Sequence, residues 1–321
     1  MTTMDKPDAR GEWGPGGDPL GVVVVDKPRG ITSHAAVQEV RRITHIKRVG
    51  HVGTLDPAAR GVLPLLVGKA TRLSRFATGW EKEYHATLRL GEARDTQDLD
   101  GKVTFSGDTR NLTEGAIRDA LGHFEGEIEQ IPPMYSAKKV GGVPLYKLAR
   151  KGKEVERQAK RVRVYRLVAR EIRPGDPFWE VDFELSCSSG TFVRTICHDV
   201  GERLGCGGVL ATLVRAAAGP FTIDDAITLD EVRERWHDGG AAAVLRPVAD
   251  CFAPSQRVVV NSAGHSKLRN GQTITLADTS PPPAPEIEEP ALLYSPGGTL
   301  LAVARPLGSP VWGFRPTAVL A

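Results

Sequence analysis

The sequence predicts a mixed α/β protein of the α+β type: a largely antiparallel sheet with flanking helices, followed by a small β-rich C-terminal unit. Three observations predict it. From Trp179 to Cys187 apolar side chains alternate with Glu180, Asp182, Glu184 and Ser186 without an error, the pattern of an antiparallel strand with one buried face. Directly after it, Phe192, Ile196, Val200 and Leu204 recur at four-residue steps, the stripe of an amphipathic helix. From about residue 254 the pattern is one of short strands. A length of 321 residues fits two domains, placed here at 21–252 and 253–321.

The elements follow in order. Residues 1–20 are rich in Gly, Pro and Asp, carry no apolar period and read as a disordered tail; they lack the apolar core of a secretory signal. Residues 21–25 are apolar and β-branched, a buried strand. Pro28 and Gly30 turn the chain. Ser33 is placed as the N-cap of a helix to Ile43, with Ala36, Val37, Val40 and Ile43 on one face. Residues 44–60 are loop-like. Residues 62–67 make a strand whose Pro64 argues for an edge or a bulge. A short helix is expected over 69–78, a strand over 83–90 and a turn-rich stretch over 91–108. Thr113 caps a helix to Phe124, and Thr191 is expected to open the helix after Gly190. Residues 209–214 form a strand, and Thr228 with Glu231 has capping-box spacing. In the last third, strands are expected at 258–260, 273–276, 300–303 and near Val319. Between them, residues 281–290 hold five prolines and three glutamates, a flexible insertion.

Several classes fall away. No stretch approaches ~18 uninterrupted apolar residues, which excludes an integral membrane protein with helical spans. Four cysteines without a CxxC pair support neither a zinc ribbon nor a disulfide scaffold, and a cytoplasmic protein with reduced thiols is expected. HExxH, GxGxxG and Walker A patterns are absent. The net charge of +3 is unremarkable, but its distribution is not. Residues 138–166 hold eleven Lys or Arg against two acids, Glu154 and Glu156. Such a block repels itself unless phosphates lie nearby, so a polyanion contact is expected, with the segment ordered only against that partner.

Two polar loops concentrate the candidate chemistry. In Arg48-Val49-Gly50-His51-Val52-Gly53-Thr54-Leu55-Asp56-Pro57, Gly50 and Gly53 permit a tight turn, and Pro57 holds Asp56 extended. On these residues alone an ordinary Asp-Pro turn explains the loop more readily than catalysis does. In Ser188-Ser189-Gly190-Thr191-Phe192-Val193-Arg194-Thr195, Arg194 falls in a first helical turn, where the dipole disfavours a cation. Either it has a specific anionic partner or it reaches solvent.

The run Val25-Asp26-Lys27-Pro28-Arg29-Gly30-Ile31-Thr32-Ser33 followed by Gly50-His51-Val52-Gly53-Thr54-Leu55-Asp56-Pro57-Ala58-Ala59-Arg60-Gly61-Val62-Leu63 resembles the bacterial TruB family. These are tRNA pseudouridine synthases acting on the T-loop uridine conventionally numbered 55. Lys82-Glu83-Tyr84, Gln130-Ile131-Pro132-Pro133-Met134-Tyr135-Ser136-Ala137-Lys138 and Gly190-Thr191-Phe192-Val193-Arg194-Thr195 follow in the same order as in the family. The resemblance implies the pseudouridine synthase fold over 21–252, with 132–160 as an RNA-gripping insertion, and a PUA-like RNA-binding domain after it. It implies Asp56 as the catalytic carboxylate, held ionised by the fork of Arg194 at about 2.7–2.9 Å. Tyr84 would stack on the uracil and help at C5. Phe192, where many members carry Tyr, and Leu213 would add walls. His51 would fill the place of the flipped nucleotide. Lys27 and Lys138, both within the matching runs, carry over as further substrate contacts.

The reaction so implied is an isomerisation, with no metal and no cofactor, by a monomer on the T arm of tRNA. A tRNA-binding or RNA-folding protein acting without catalysis would use the same basic block, but has no need of Asp56, Tyr84 and Arg194 together. A glycoside or nucleoside hydrolase usually sets two carboxylates across the bond, and the matching runs offer only Asp56.

Overall fold

The computed structural model describes residues 19–136, 138–149, 151–252, 257–281, 290–308 and 312–320. Almost all of the expected N-terminal tail, most of the proline–glutamate insertion and residues 253–256 at the expected boundary lie outside them.

In chain order, β1 (Gly21–Lys27), α1 (Ser33–Thr44), β2 (Val49–His51), β3 (Arg60–Val67), α2 (Ser74–Ala77) and β4 (Lys82–Leu90) come first. A hairpin of β5 (Glu92–Arg94) and β6 (Val103–Ser106), then α3 (Glu114–Gly122) and β7 (Gly126–Gln130), lead to a small hairpin, β8 (Lys139–Val140) and β9 (Val143–Pro144), and the short α4 (Leu145–Ala149). After these come β10 (Lys160–Arg173), β11 (Trp179–Cys187), α5 (Val193–Arg203), β12 (Gly208–Ala218), β13 (Phe221–Thr222) and α6 (Leu229–Val244). The C-terminal unit holds β14 (Arg257–Val259), α7 (Ser262–Arg269), β15 (Ile274–Thr275), β16 (Ala291–Tyr294), β17 (Leu300–Leu307) and β18 (Gly313–Val319).

Nine strands form one sheet along the path β1-β3-β12-β4-β11-β10-β7, with β2 added to β3 and β13 to β12. All its pairings are antiparallel but one: β12 meets β3 in parallel, over Val214↔Arg60 and Arg215↔Gly61. The second sheet runs β14-β16-β17-β18-β15. The expected mixed, largely antiparallel sheet with helices and a β-rich C-terminal unit is therefore present.

Hydrophobic patterning explains how the sheet is covered. In β1, Val23 and Val25 face one core with α1, α5 and α6, while Val22 and Val24 face a second with Leu292, Leu300 and Leu320 of the C-terminal unit. Both faces are buried here, which is why the run is apolar throughout. Farther along, β11 has one core face only: Val181, Phe183 and Leu185 point into the first core, and the intervening acids stay half-buried. Each fully buried Val, Leu or Phe contributes ~1.5–3 kcal/mol of transfer free energy, so the sheet is held at β1 and at β11 by side chains that the apolar pattern picks out.

The differences have physical reasons. Pro64 is not at an edge, since β3 lies between β1 and β12. Its carbonyl accepts the Val52 N–H at 2.9 Å, so its missing N–H lies on that same side, opposite the residue just past the end of β2, and the pairing with β1 is left intact. The N-cap of α1 is Thr32, whose hydroxyl accepts from Ala35 N, not Ser33. Val193 opens α5, with Phe192 as its cap, so Thr191 does not begin it. Strand β10 escapes the sequence pattern because register shifts near Val164–Arg166 and Ala169–Glu171 break its alternation. It also takes residues 160–166 of the basic block into the sheet. There Arg161 pairs with Glu129 (3.2 Å) and Arg166 with Glu184 (3.7 Å), so the block has internal counter-charges that its own two acids do not reveal.

Candidate active site

The loop between β2 and β3 carries Asp56, and its backbone is fastened on both sides. Ser33 Oγ donates to Leu55 O at 3.0 Å and accepts from Leu55 N at 2.8 Å. Gly30 N donates to Pro57 O at 2.8 Å. Arg215, fully buried, donates to Val62 O (2.7 Å), Gly53 O (3.1 Å) and Thr54 O (3.5 Å). Gly53 has φ 70°, which favours a glycine, and a Cβ there would press on Arg215 Nη1 at 3.3 Å. Gly50 is an ordinary β2 residue opposite Leu66. A segment that composition marks as an open loop is thus fixed to α1, β3 and β12, and Asp56 is its partly exposed tip.

Arg194 lies in the first turn of α5, as expected, and is nearly fully buried. Its Nε stands 3.0 Å from Asp56 Oδ2. The fork does not face Asp56: Nη1 donates to Thr96 O (2.9 Å) and lies 3.4 Å from Asp98 Oδ2, while Nη2 donates to Tyr135 O (2.9 Å). The expected two-point grip is therefore replaced by a lateral contact, because the terminal nitrogens are taken by other acceptors. Asp98 is the second carboxylate that the sequence reading missed. It is buried, and burial pushes its carboxyl above the usual carboxylate range against the pull of Arg194 and Thr96.

Sheet register assembles the rest. Tyr84 on β4 pairs with Leu185 on one side and Arg215 on the other, and Leu213 sits two residues before Arg215. The Tyr84 hydroxyl contacts the Arg215 guanidinium, and burial raises its pKa, so the phenol keeps its proton. Phe192 is held by the buried Gln130, whose Oε1 accepts from Phe192 N (2.9 Å) and whose Nε2 donates to Phe192 O (3.1 Å). Asp56, Tyr84, Arg194, Phe192, Leu213 and Lys138 all line one cavity of about 340 Å³, together with Lys82, Lys160 and Arg215. That is six of the eight residues picked out in the sequence.

The other two lie elsewhere. Lys27, expected as a substrate contact, is fully buried and donates to Pro28 O and Ile31 O, each at 2.8 Å; burial lowers its pKa to about 8. His51 is on β2, partly buried and outside the cavity lining; burial and the charge of Arg215 lower its pKa, so the ring is neutral. Asp98 lines an adjoining narrow cleft, not the cavity.

Comparison with known proteins fits this arrangement. Residues 41–193 match the family model described as TruB family pseudouridylate synthase (N terminal domain), and 194–253 match the tRNA pseudouridylate synthase B C-terminal domain. A relative named tRNA pseudouridine synthase B from Geobacter sulfurreducens is 43% identical over 285 residues, covering 89% of this chain and 90% of the relative. The chain belongs to the TruB family of pseudouridylate synthases. Another member of that name, from Opitutus terrae, is 50% identical over 213 residues, 66% of this chain and 86% of its own length. Among solved structures, a chain in an H/ACA RNP bound to a substrate RNA containing 2′-deoxyuridine superposes with TM-score 0.70 at 23% identity, covering all of this chain and 92% of that one. At that identity the likeness is one of fold. Family membership makes the chain an isomerase. Both family models end by residue 253. Among the described residues no helix is long and apolar enough to cross a membrane.

Proposed function

We propose that the chain converts the T-loop uridine of tRNA, position 55, into pseudouridine, with Asp56 as the working carboxylate. One observation carries the reading. Among the described residues lining the cavity Asp56 is the only carboxylate; apolar and aromatic walls stand around it, and a buried cation touches it. A hydrolase would want two carboxylates across the bond, and Asp98 does not face the cavity.

The reaction breaks the N1–C1′ bond of the nucleotide and joins C5 to C1′; the proton leaves C5 and N1 regains one, so nothing is oxidised and no group is lost. Asp56 acts at the sugar, either by attack on C1′ or by removing the C2′ proton. Arg194 keeps the carboxylate oriented. Tyr84 holds its proton, so we assign it the wall against which the detached uracil turns, with Phe192 and Leu213 completing the enclosure. His51, neutral and outside the cavity, fills the gap the flipped nucleotide leaves in the RNA stack. Lys138 and Lys160 at the cavity meet backbone phosphates. On the C-terminal sheet, Arg305 and Arg315 are exposed and opposite each other in register, a second site for RNA phosphate.

The test is an unmodified tRNA transcript incubated with the protein and then mapped for pseudouridine. One pseudouridine, in the T loop at position 55, is the expected result. Tight binding with no isomerisation would favour the RNA-binding reading, and release of free uracil would favour a hydrolase.

A further inference from the structure

The turn after β5 is joined to the first turn of α5 by a clasp with no place in the reaction as described above. Gln97 has a left-handed backbone, φ 63°, and is not a glycine. A residue with a Cβ stays in that region only where its surroundings hold it. Three contacts do so here. Gln97 N donates to Arg94 O (3.0 Å), Gln97 O accepts from Leu210 N (3.0 Å), and Gln97 Oε1 accepts from the Thr195 hydroxyl (3.0 Å). Thr195 is buried and adjoins Arg194 in the chain.

The turn at Gln97 brings its two neighbours onto one nitrogen. The Thr96 carbonyl and the Asp98 carboxylate both reach Arg194 Nη1, at 2.9 and 3.4 Å. Residues 194–195 and 96–98 therefore hold each other at three points: the guanidinium grips 96 and 98, and the next side chain grips 97. A guanidinium is planar, so fixing Nη1 and Nη2 fixes the direction of Nε. If the 96–98 turn relaxes, Nη1 loses its acceptors and the fork is free to swing onto Asp56 at two points, competing with the sugar for the carboxylate oxygens.

We propose that Gln97 and Thr195 are positioning residues for the isomerisation: their hydrogen bond holds the turn that keeps the Arg194 fork occupied and leaves only Nε against Asp56. The proposal rests on the reading of Asp56 and Arg194 given above.

Thr195→Val removes the hydroxyl at nearly constant shape, and Thr195→Ser keeps it. On a T-arm RNA carrying 5-tritiated uridine, Thr195→Val is expected to lower kcat about tenfold or more with KM within about twofold. Thr195→Ser is expected to restore kcat to within about twofold of wild type. Gln97→Leu should lower kcat similarly, and the Gln97→Leu, Thr195→Val double variant should be no slower than the worse single one. Thermal melts of all four variants show whether any loss is one of folding; the Ser variant and the kcat-against-KM split carry the test if the Val variant is unstable. A Thr195→Val enzyme with wild-type kcat overturns the proposal, as do a serine variant that fails to rescue and a double variant whose losses multiply. If the wild-type chain itself releases no tritium, the underlying reading of the site fails instead, which separates the two outcomes.

Discussion

Arg215 on β12 stands opposite Tyr84 on β4 in the sheet register, and its guanidinium reaches beyond the Tyr84 hydroxyl to the carbonyls of Gly53 and Thr54. One buried cation thus ties a wall of the cavity to the loop that carries Asp56. Gly61 permits the approach: its φ is 112°, and a Cβ there would collide with the Arg215 backbone.

Arg215→Met is expected to destabilise the fold and the reaction together. It leaves the buried Val62 carbonyl, and the partly buried contacts to Gly53 and Thr54, without their donor, a loss of about 3 kcal/mol. Urea unfolding measures it. A variant within about 0.5 kcal/mol of wild type would contradict the role.

Arg194→Lys keeps the charge, but one ammonium cannot reach Asp56, Thr96 O and Tyr135 O in a single plane. Turnover is expected to fall about a hundredfold or more while tRNA binding stays within about tenfold. Asp98→Asn removes the charge that Nη1 faces and is expected to slow turnover by a smaller factor, again with little change in binding. Equal losses of turnover and affinity in either variant would place these residues in RNA binding.

Burial lowers the pKa of Lys27 and of Lys82 from 10.5 to about 8. The folded state binds fewer protons than the unfolded one between those two values, so at these sites stability rises with pH from about 8 to about 10.5. Below that window both lysines are charged in the fold and the full penalty of burying them applies. Lys27→Met is expected to flatten the rise. Unfolding free energies of wild type and variant at about pH 7.5 and about pH 9.5 check the sign; an identical pH slope in the two proteins would refute it.

The sequence showed most plainly what repeats or what stands in a contiguous run. Strand β11 is legible because its alternation is unbroken over Trp179–Cys187, and β10 is not, because two register shifts put its buried Val164 and Leu167 out of phase. Asp56, Tyr84 and Arg194 stand in runs resembling a known family. Asp98 and Gln97 sit in a polar, turn-rich stretch whose meaning depends on α5 closing over it almost a hundred residues later. Arg215 gives no signal at all: one arginine in Leu213-Val214-Arg215-Ala216 reads as a solvent-facing strand residue, and only the parallel meeting of β12 with β3 turns it inward. Lys27 errs the other way, since its place in a matching run suggests a substrate contact while its ammonium is spent on two backbone carbonyls.

The most direct measurement compares wild type with Asp56→Asn on the same 5-tritiated T-arm RNA, following tritium release and RNA binding in parallel. The amide keeps the size of the side chain and cannot serve as nucleophile or base. Wild type is expected to release tritium from one uridine, and the Asn variant to release none while binding the RNA within about tenfold, roughly 1.4 kcal/mol. Substantial turnover by the Asn variant would contradict the assignment of Asp56 as the catalytic carboxylate.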